Sequence, residues 1–93
     1  MKHYILAKFK NREDTENLYT GIRKLFDTSR TIEGVNSVDV HRSNSDRDNR
    51  YSIMIEMELT PEGLTAFDAS DIHKTWKDMY GDKIVSKAIF DCD

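Results

Sequence analysis

The fold is decided by the stretch Tyr51-Ser52-Ile53-Met54-Ile55-Glu56-Met57-Glu58-Leu59 and by the Thr60-Pro61-Glu62 that follows it. Apolar side chains occupy every odd position of the first stretch. This period of two is the pattern of a β-strand with one covered face. Threonine is a good helix N-cap and proline is favoured at the first helical position. The sequence therefore predicts a strand that passes directly into a helix.

The residues before this stretch predict two more strands and a helix. Residues Lys2–Lys10 alternate with partly apolar side chains on both faces, which is typical of a strand covered on two sides. Asn11 can cap the helix that follows, whose apolar residues recur at helical spacing as far as Phe26. Val35–His41 predicts a second strand, and the polar residues 42–50 predict a solvated loop.

The residues after the stretch complete the pattern. The helix that starts at Pro61 has an irregular apolar period, and Ser70 can cap a second half, so we expect a break there. Gly81 predicts the end of this helix through a glycine C-cap, and Ile84–Asp91 predicts the last strand. The order βαββαβ predicts an α+β, ferredoxin-like fold with a four-stranded antiparallel sheet, in a single domain of residues 1–93.

A sheet with both helices on one side leaves its other face bare. That face carries apolar side chains whichever register is assigned to the first strand, since Ile5, Ala7 and Phe9 alternate with Tyr4 and Leu6. A large exposed apolar surface is a liability for a monomer, and a two-fold dimer is the commonest way to cover one. We therefore expect a homodimer through the open sheet face, forming a dimeric α+β barrel with an interior space between the two sheets.

The composition excludes several classes of protein. The 93 residues are 38% hydrophobic and 33% charged, as in folded proteins, and 14 basic against 17 acidic residues give a net charge of −3. An acidic balance argues against nucleic-acid binding, which needs a basic surface. No apolar run approaches the roughly 18–20 residues of a membrane span. Cys92 is the only cysteine and nothing near Met1 reads as a secretory signal, so we expect a cytoplasmic protein without disulfides.

Two of the three histidines are candidates for acid–base chemistry at neutral pH. His3 shares a strand face with Ile5, and His73 follows the predicted helix break, one turn before Trp76. One interpretation is a pocket with one or two imidazoles that take or give a proton. The alternative is that His3 is a hydrogen-bonded edge residue and His73 a surface residue. The three histidines and Cys92 lie far apart in the sequence and form none of the closely spaced pairs typical of metal ligands. We therefore expect neither a metal nor a cofactor.

Short segments along the whole chain resemble the stress-responsive A/B barrel (Dabb) family. The opening Lys2–Lys10 is similar to that family's "KHIVLFKFK", and Tyr51–Leu59 is similar to its third strand. Three further matches are Ile32–Val38 with "IPGV-x-S-V", Leu64-Thr65-Ala66-Phe67 and His73 with "L-x-A-Y" and "H-P-x-H", and Ile89-Phe90-Asp91 with the closing strand.

The resemblance implies a homodimeric α+β barrel with a cavity in each protomer. Most members of the family have no assigned activity. In one plant member, a polyketide cyclase, a histidine and a tyrosine act as an acid–base pair, with a first-strand histidine nearby. Carried over by motif, the catalytic histidine is His73, the first-strand histidine is His3, and Phe67 stands at the tyrosine position without a hydroxyl.

These observations lead to one leading hypothesis and two alternatives. The leading hypothesis is a homodimeric Dabb barrel protein of unassigned activity that binds a small hydrophobic or aromatic molecule. His3 and His73 are its expected polar groups, and the expected contacts are Ile5, Phe67, Trp76 and, by family analogy, Asp91 near the mouth. The first alternative is a cofactor-independent enzyme, cyclase-like or monooxygenase-like, with His73 as acid or base. The second is a non-catalytic stress or assembly protein whose interior is packed solid.

Overall fold

A computed structural model describes all residues, 1–93, as one four-stranded antiparallel sheet with three α-helices. The elements in chain order are β1 (Lys2–Phe9), α1 (Asp14–Asp27), β2 (Val35–Arg42), β3 (Ile53–Leu59), α2 (Pro61–Asp68), α3 (Asp71–Tyr80) and β4 (Ile84–Cys92). Short 3-10 turns follow α1 and α3. The predicted βαββαβ order and ferredoxin-like fold are confirmed, with the second helix divided into α2 and α3.

The strands lie in the order β2-β3-β1-β4, so β1 is central and β4 is an edge strand. Both neighbours of β1 run antiparallel to it, and Ile5 pairs with Ile55 on one side and with Ile89 on the other. The register therefore places these three isoleucines in one row across the sheet, on the face that carries the helices.

Three strands and the helices together build the core. Fifteen hydrophobic residues form one buried cluster, and they come from β1, β2, β3 and all three helices. On β3 the whole odd row, from Ile53 to Leu59, is buried as the alternation predicts. The helices contribute aromatic side chains, among them Phe26, Phe67 and Trp76. No residue of β4 belongs to this cluster, although Ile84 packs against its edge.

The predicted break between α2 and α3 is confirmed, together with both predicted caps. Thr60 is extended at the start of α2, and its side chain accepts a hydrogen bond from the Gly63 N–H at 3.0 Å. Ser70 does the same for α3, where it accepts from the His73 N–H at 3.2 Å. Each side chain satisfies one of the backbone donors that a helix start leaves unpaired.

Two other terminus predictions are wrong in their details. Asn11 does not cap α1, because a backbone turn comes first and the helix starts at Asp14 without any side-chain cap. The acidic Asp14 and Glu16 in the first turn favour this later start by complementing the helix dipole. Gly81 follows α3 but keeps a right-handed φ of −58°, because the chain continues into a 3-10 turn instead of a left-handed glycine cap.

We predicted that β1 is covered on both faces, but within one chain only the face of its odd residues is covered. Its odd residues lie under the helices, whereas Tyr4 and Leu6 lie on a bare surface. We call this surface the open face; its apolar part consists of Tyr4, Leu6, Met54, Ala88 and Phe90.

None of the three helices has the length and apolar character that crossing a membrane requires.

Candidate functional site

A groove of about 280 Å³ lies on the helix side of the sheet, between the β1–β4 edge and helices α2 and α3. Its lining residues are His3, Ile5, Leu64, Asp68, His73, Trp76, Lys87, Ile89 and Asp91. The groove exists because the helices stop short of β4, whose Ile89 remains 50% exposed. Five of the six predicted site residues therefore come together here, namely His3, Ile5, His73, Trp76 and Asp91.

The groove lies within one chain on the helix side of the sheet, whereas the interior space expected between two sheets would lie on the open face. His3 and Ile5 belong to the odd row of β1, and this row faces the helices. The space that a second sheet would enclose is bordered by Tyr4 and Leu6 instead. The alternation of β1 showed that His3 and Ile5 share a face, but it did not show which face the helices cover.

A larger hollow of about 460 Å³ lies elsewhere, at the start of α1 and the β2–β3 loop. No hydrophobic side chain lines it. The Arg12 guanidinium already donates to the backbone carbonyls of Ser45 at 3.3 Å and Arg50 at 2.9 Å, so its charge is engaged in holding the loop. Ligand sites usually combine apolar walls with a few polar groups, which favours the groove over this polar hollow.

His3 is held at one end of the groove by a carboxylate. Its ring is almost completely buried, and its Nδ1 pairs with Asp91 Oδ1 directly across the β1–β4 ladder. The other ring nitrogen, Nε2, makes no hydrogen bond within the chain, and no buried side-chain nitrogen lacks a partner. Nε2 is therefore reached by solvent. A carboxylate on one nitrogen orients an imidazole and favours a defined role for the other.

Phe67 connects the two histidines beneath the groove. Its ring is fully buried, with its centroid 6.5 Å from that of His3 and 5.3 Å from that of His73, both in edge-on geometry. Phe67 itself does not line the groove. We predicted that Phe67 contacts the ligand as a wall of the groove. Instead it lies beneath the groove and packs against both imidazoles from the core side.

Ser70 fixes the position of His73 through the break between α2 and α3. The Ser70 hydroxyl donates to the Phe67 carbonyl at 2.6 Å and accepts from the His73 N–H at 3.2 Å. One side chain thus joins the end of α2 to the start of α3. His73 is half-buried as a result, in the first turn of α3, with Trp76 in the next turn.

The surroundings of His73 favour its neutral form. Partial burial lowers the pKa of His73 below the ordinary 6.5, because it removes water that would stabilise the charged ring. Repulsion from Lys77, and more weakly from Lys87, lowers the pKa further. The carboxylate and backbone carbonyl of Asp68 raise it in part. At neutral pH the imidazole is therefore uncharged and can accept a proton.

The sequence reasoning missed four groove residues, which are Leu64, Asp68, Lys87 and Ile89. A sequence signal existed for Lys87 and Ile89, because they alternate with Asp91 along β4 and so share one face.

His41 lies away from the groove, exposed on β2, where its Nε2 is 3.1 Å from Glu56 Oε1. No group of three or more His, Cys, Asp or Glu side chains is placed to hold a metal ion.

The chain is similar in structure to several solved proteins. A dimeric protein of unknown function with a ferredoxin-like fold, from Bacteroides fragilis, superposes with a TM-score of 0.82 at 14% identity, covering 99% of this chain and 93% of that one. A Dabb family protein from Mesorhizobium loti gives 0.73 at 15% identity, over 99% and 93% of the two chains. A candidate antibiotic biosynthesis monooxygenase from Nitrosomonas europaea gives 0.71 at 22% identity, over 99% and 98%.

The chain has the ferredoxin-like fold of the Dabb proteins. The resemblance seen in the sequence is confirmed at the level of the fold. Sequence identities of 14–22% are too low to show a shared activity. No protein-family model matches the chain, and no curated protein matches it either.

Proposed function

We propose that this protein binds a small aromatic molecule in the groove and forms a homodimer through the open face. The observation that supports binding is the convergence of two imidazoles with Ile5 and Trp76 in one open space of about 280 Å³. This volume is just below the roughly 300–1,000 Å³ of typical ligand sites, so the ligand is small. The same open space gives a ligand room to bind, which a purely assembly-forming protein would not need.

Trp76 makes the binding proposal testable without a label, because it is the only tryptophan and it lines the groove. We expect 2-naphthamide, a neutral bicyclic aromatic, to change the tryptophan fluorescence in a saturable way. Ile89→Arg places a long charged side chain in the groove and should abolish the change. Val85→Arg is the matched control, since Val85 is also an exposed β4 residue but does not line the groove. No saturable change with the unmodified protein would contradict the proposal.

The open face supports the homodimer. Its apolar residues are contiguous in the register, with Tyr4 opposite Phe90 and Leu6 opposite both Met54 and Ala88. The Tyr4 and Phe90 rings lie 6.4 Å apart, and Phe90 is 61% exposed. Exposed aromatic residues in a contiguous apolar patch are typical of an association surface. The Bacteroides fragilis protein with the same fold is described as dimeric, which supports the proposal.

Light scattering tests the dimer at micromolar concentration. We expect about twice the chain mass of 10.9 kDa. Phe90→Glu should give the chain mass alone, because a two-fold interface would bury the new carboxylate together with its symmetry mate. Met79→Glu is the control, since Met79 is similarly exposed but lies on α3, away from the open face. A monomer before any substitution would contradict the dimer.

A second candidate function is proton transfer at a carbon atom, and the lowered pKa of His73 favours it. The neutral imidazole would remove a proton from a carbon next to a carbonyl group and then return it. The hydroxyl of a tyrosine is absent because Phe67 occupies that position. The groups lining the groove that can stabilise the oxygen are the Lys87 ammonium and, when its Nε2 carries a proton, His3. This reaction needs no cofactor.

Hydrogen–deuterium exchange at the carbon next to the carbonyl of 2-tetralone measures this reaction by NMR. We expect the protein to accelerate the exchange, with a rate that rises with pH through a pKa below 6.5. His73→Gln should remove the acceleration, and the exposed His41→Gln should leave it intact. Acceleration that survives in His73→Gln would exclude this mechanism.

A further inference from the structure

Lys87 is a groove residue whose positive charge the chain leaves without a partner. It lines the groove from β4, yet it takes part in none of the six ion pairs and in no side-chain hydrogen bond. The carboxylate nearest along the same strand face, Asp91, is already paired with His3. Lys87 is thus free to bind an anion from a ligand.

The register gives the groove floor two distinct ends. Along β1 and β4 the helix-facing pairs are His3 with Asp91, Ile5 with Ile89, and Ala7 with Lys87. At about 3.3 Å per residue, Lys87 and Asp91 are separated by ~13 Å along the strand. The hydrogen-bonded His3–Asp91 pair closes one end, two isoleucines form the middle, and the Lys87 ammonium lies at the other end.

The charge balance around His73 favours an anion over a cation. Two lysines without ion-pair partners, Lys77 and Lys87, act on the ring, against one carboxylate, that of Asp68. Asp68 also lines the groove, and it lies beyond ion-pair distance from Lys87. Lys77 does not line the groove, so Lys87 carries the only ammonium group there that a bound anion can reach.

We propose that Lys87 binds the carboxylate of an aromatic acid whose ring system packs against Ile89 and Trp76. The apolar middle of the floor accommodates the rings, and the ammonium fixes which way round the molecule lies. The opposite end of the ligand then faces the His3–Asp91 pair. This inference rests on the proposed binding function of the groove and specifies the class of ligand.

A matched pair of probes isolates the charge. 2-Naphthoate and 2-naphthamide have nearly the same shape but differ by one negative charge, and both are followed through Trp76 fluorescence. We expect the unmodified protein to bind the naphthoate about three- to tenfold more tightly, the range expected for a partly exposed charge-assisted contact. Added salt should reduce this preference because it screens the charge.

Substitutions assign the preference to Lys87. Lys87→Met keeps the apolar stem and removes the charge, so it should abolish the preference while the affinity for 2-naphthamide stays the same. Lys10→Met is the control, because Lys10 is exposed and outside the groove, and it should keep the preference. Asp68→Asn should strengthen naphthoate binding by removing the one opposing carboxylate.

The outcomes separate this inference from the binding proposal. If the naphthoate binds no more tightly than the amide, or if Lys87→Met keeps the preference, the assignment of Lys87 is wrong while binding in the groove stands. Tighter binding of 2-naphthylmethylamine than of either probe would also overturn it, since Asp68 would then be the recognising group. If no probe binds, the proposed function fails and the inference fails with it.

Discussion

Strands β3 and β4 both flank β1, and both place an isoleucine beside Ile5, yet the two sides of the sheet differ in burial. Ile55 on β3 is fully buried, whereas Ile89 on β4 is 50% exposed. The helices pack over β3 and leave β4 uncovered, so Ile89 is exposed although it lies on the helix side of the sheet. One sheet thus has a side that stabilises the fold and a side that is available for binding.

The largest expected effect tests this difference in stability. Ile55→Ala removes fully buried methyl groups and should lower the free energy of unfolding by about 2–5 kcal/mol. Ile89→Ala removes the same atoms from a half-exposed site and should cost about 1 kcal/mol or less. Urea unfolding followed by circular dichroism measures both.

Because the two variants share the same chemistry and the same row of the sheet, each is the control for the other. Equal losses of stability would show that Ile89 is as well packed as Ile55, which would contradict the difference in burial between β3 and β4. Protein concentration must be the same in both experiments, since a dimer stabilises the folded chain by mass action.

The sequence predicted β3 correctly but could not predict the groove. A period of two assigns side chains to faces, and the uninterrupted odd row of β3 left a single choice for the core face. In β1 both rows are partly apolar, so the side occupied by His3 stayed open until the helices were placed. The row Lys87, Ile89 and Asp91 is visible in the sequence, but only the tertiary packing shows that no helix covers it.

The helix break, in contrast, was predictable because its signals are local. Thr60-Pro61 and Ser70-Asp71 both place a hydroxyl just before a helix, and both hydroxyls cap as expected. What the sequence did not show is that the Ser70 hydroxyl also binds the Phe67 carbonyl. That second contact joins the cap to the ring that packs between the two histidines.

An intermediate effect distinguishes the two caps. Thr60→Ala and Ser70→Ala should each lower the free energy of unfolding by about 1 kcal/mol, the usual value for loss of an N-cap. Only Ser70→Ala should also weaken binding of 2-naphthamide, because it releases His73 and the start of α3 from the end of α2. Urea unfolding and fluorescence titration of both variants check this. An equal loss of affinity in the two variants would show that Ser70 has no special role in the groove.

A smaller effect concerns the dependence of stability on pH. The pKa of His73 is lowered in the folded chain, so the unfolded chain takes up the proton at a higher pH. Acidification through 6.5 and below therefore favours unfolding, and no such contribution remains above that pH. His73→Gln should flatten this part of the stability profile, whereas His41→Gln should not. An unchanged slope in His73→Gln would contradict the assignment.

The smallest effect resolves which charges act on His73, and it is measured by NMR titration of the ring. Lys87→Met removes a repulsive charge and should raise the pKa of His73 towards 6.5. Asp68→Asn removes an attractive charge and should lower it further. The shifts should shrink in high salt, because both charged groups are exposed to solvent. Lys10→Met should leave the titration unchanged. If Lys87→Met also leaves it unchanged, the ammonium does not act on the imidazole, and the groove loses the charge balance that favours an anionic ligand.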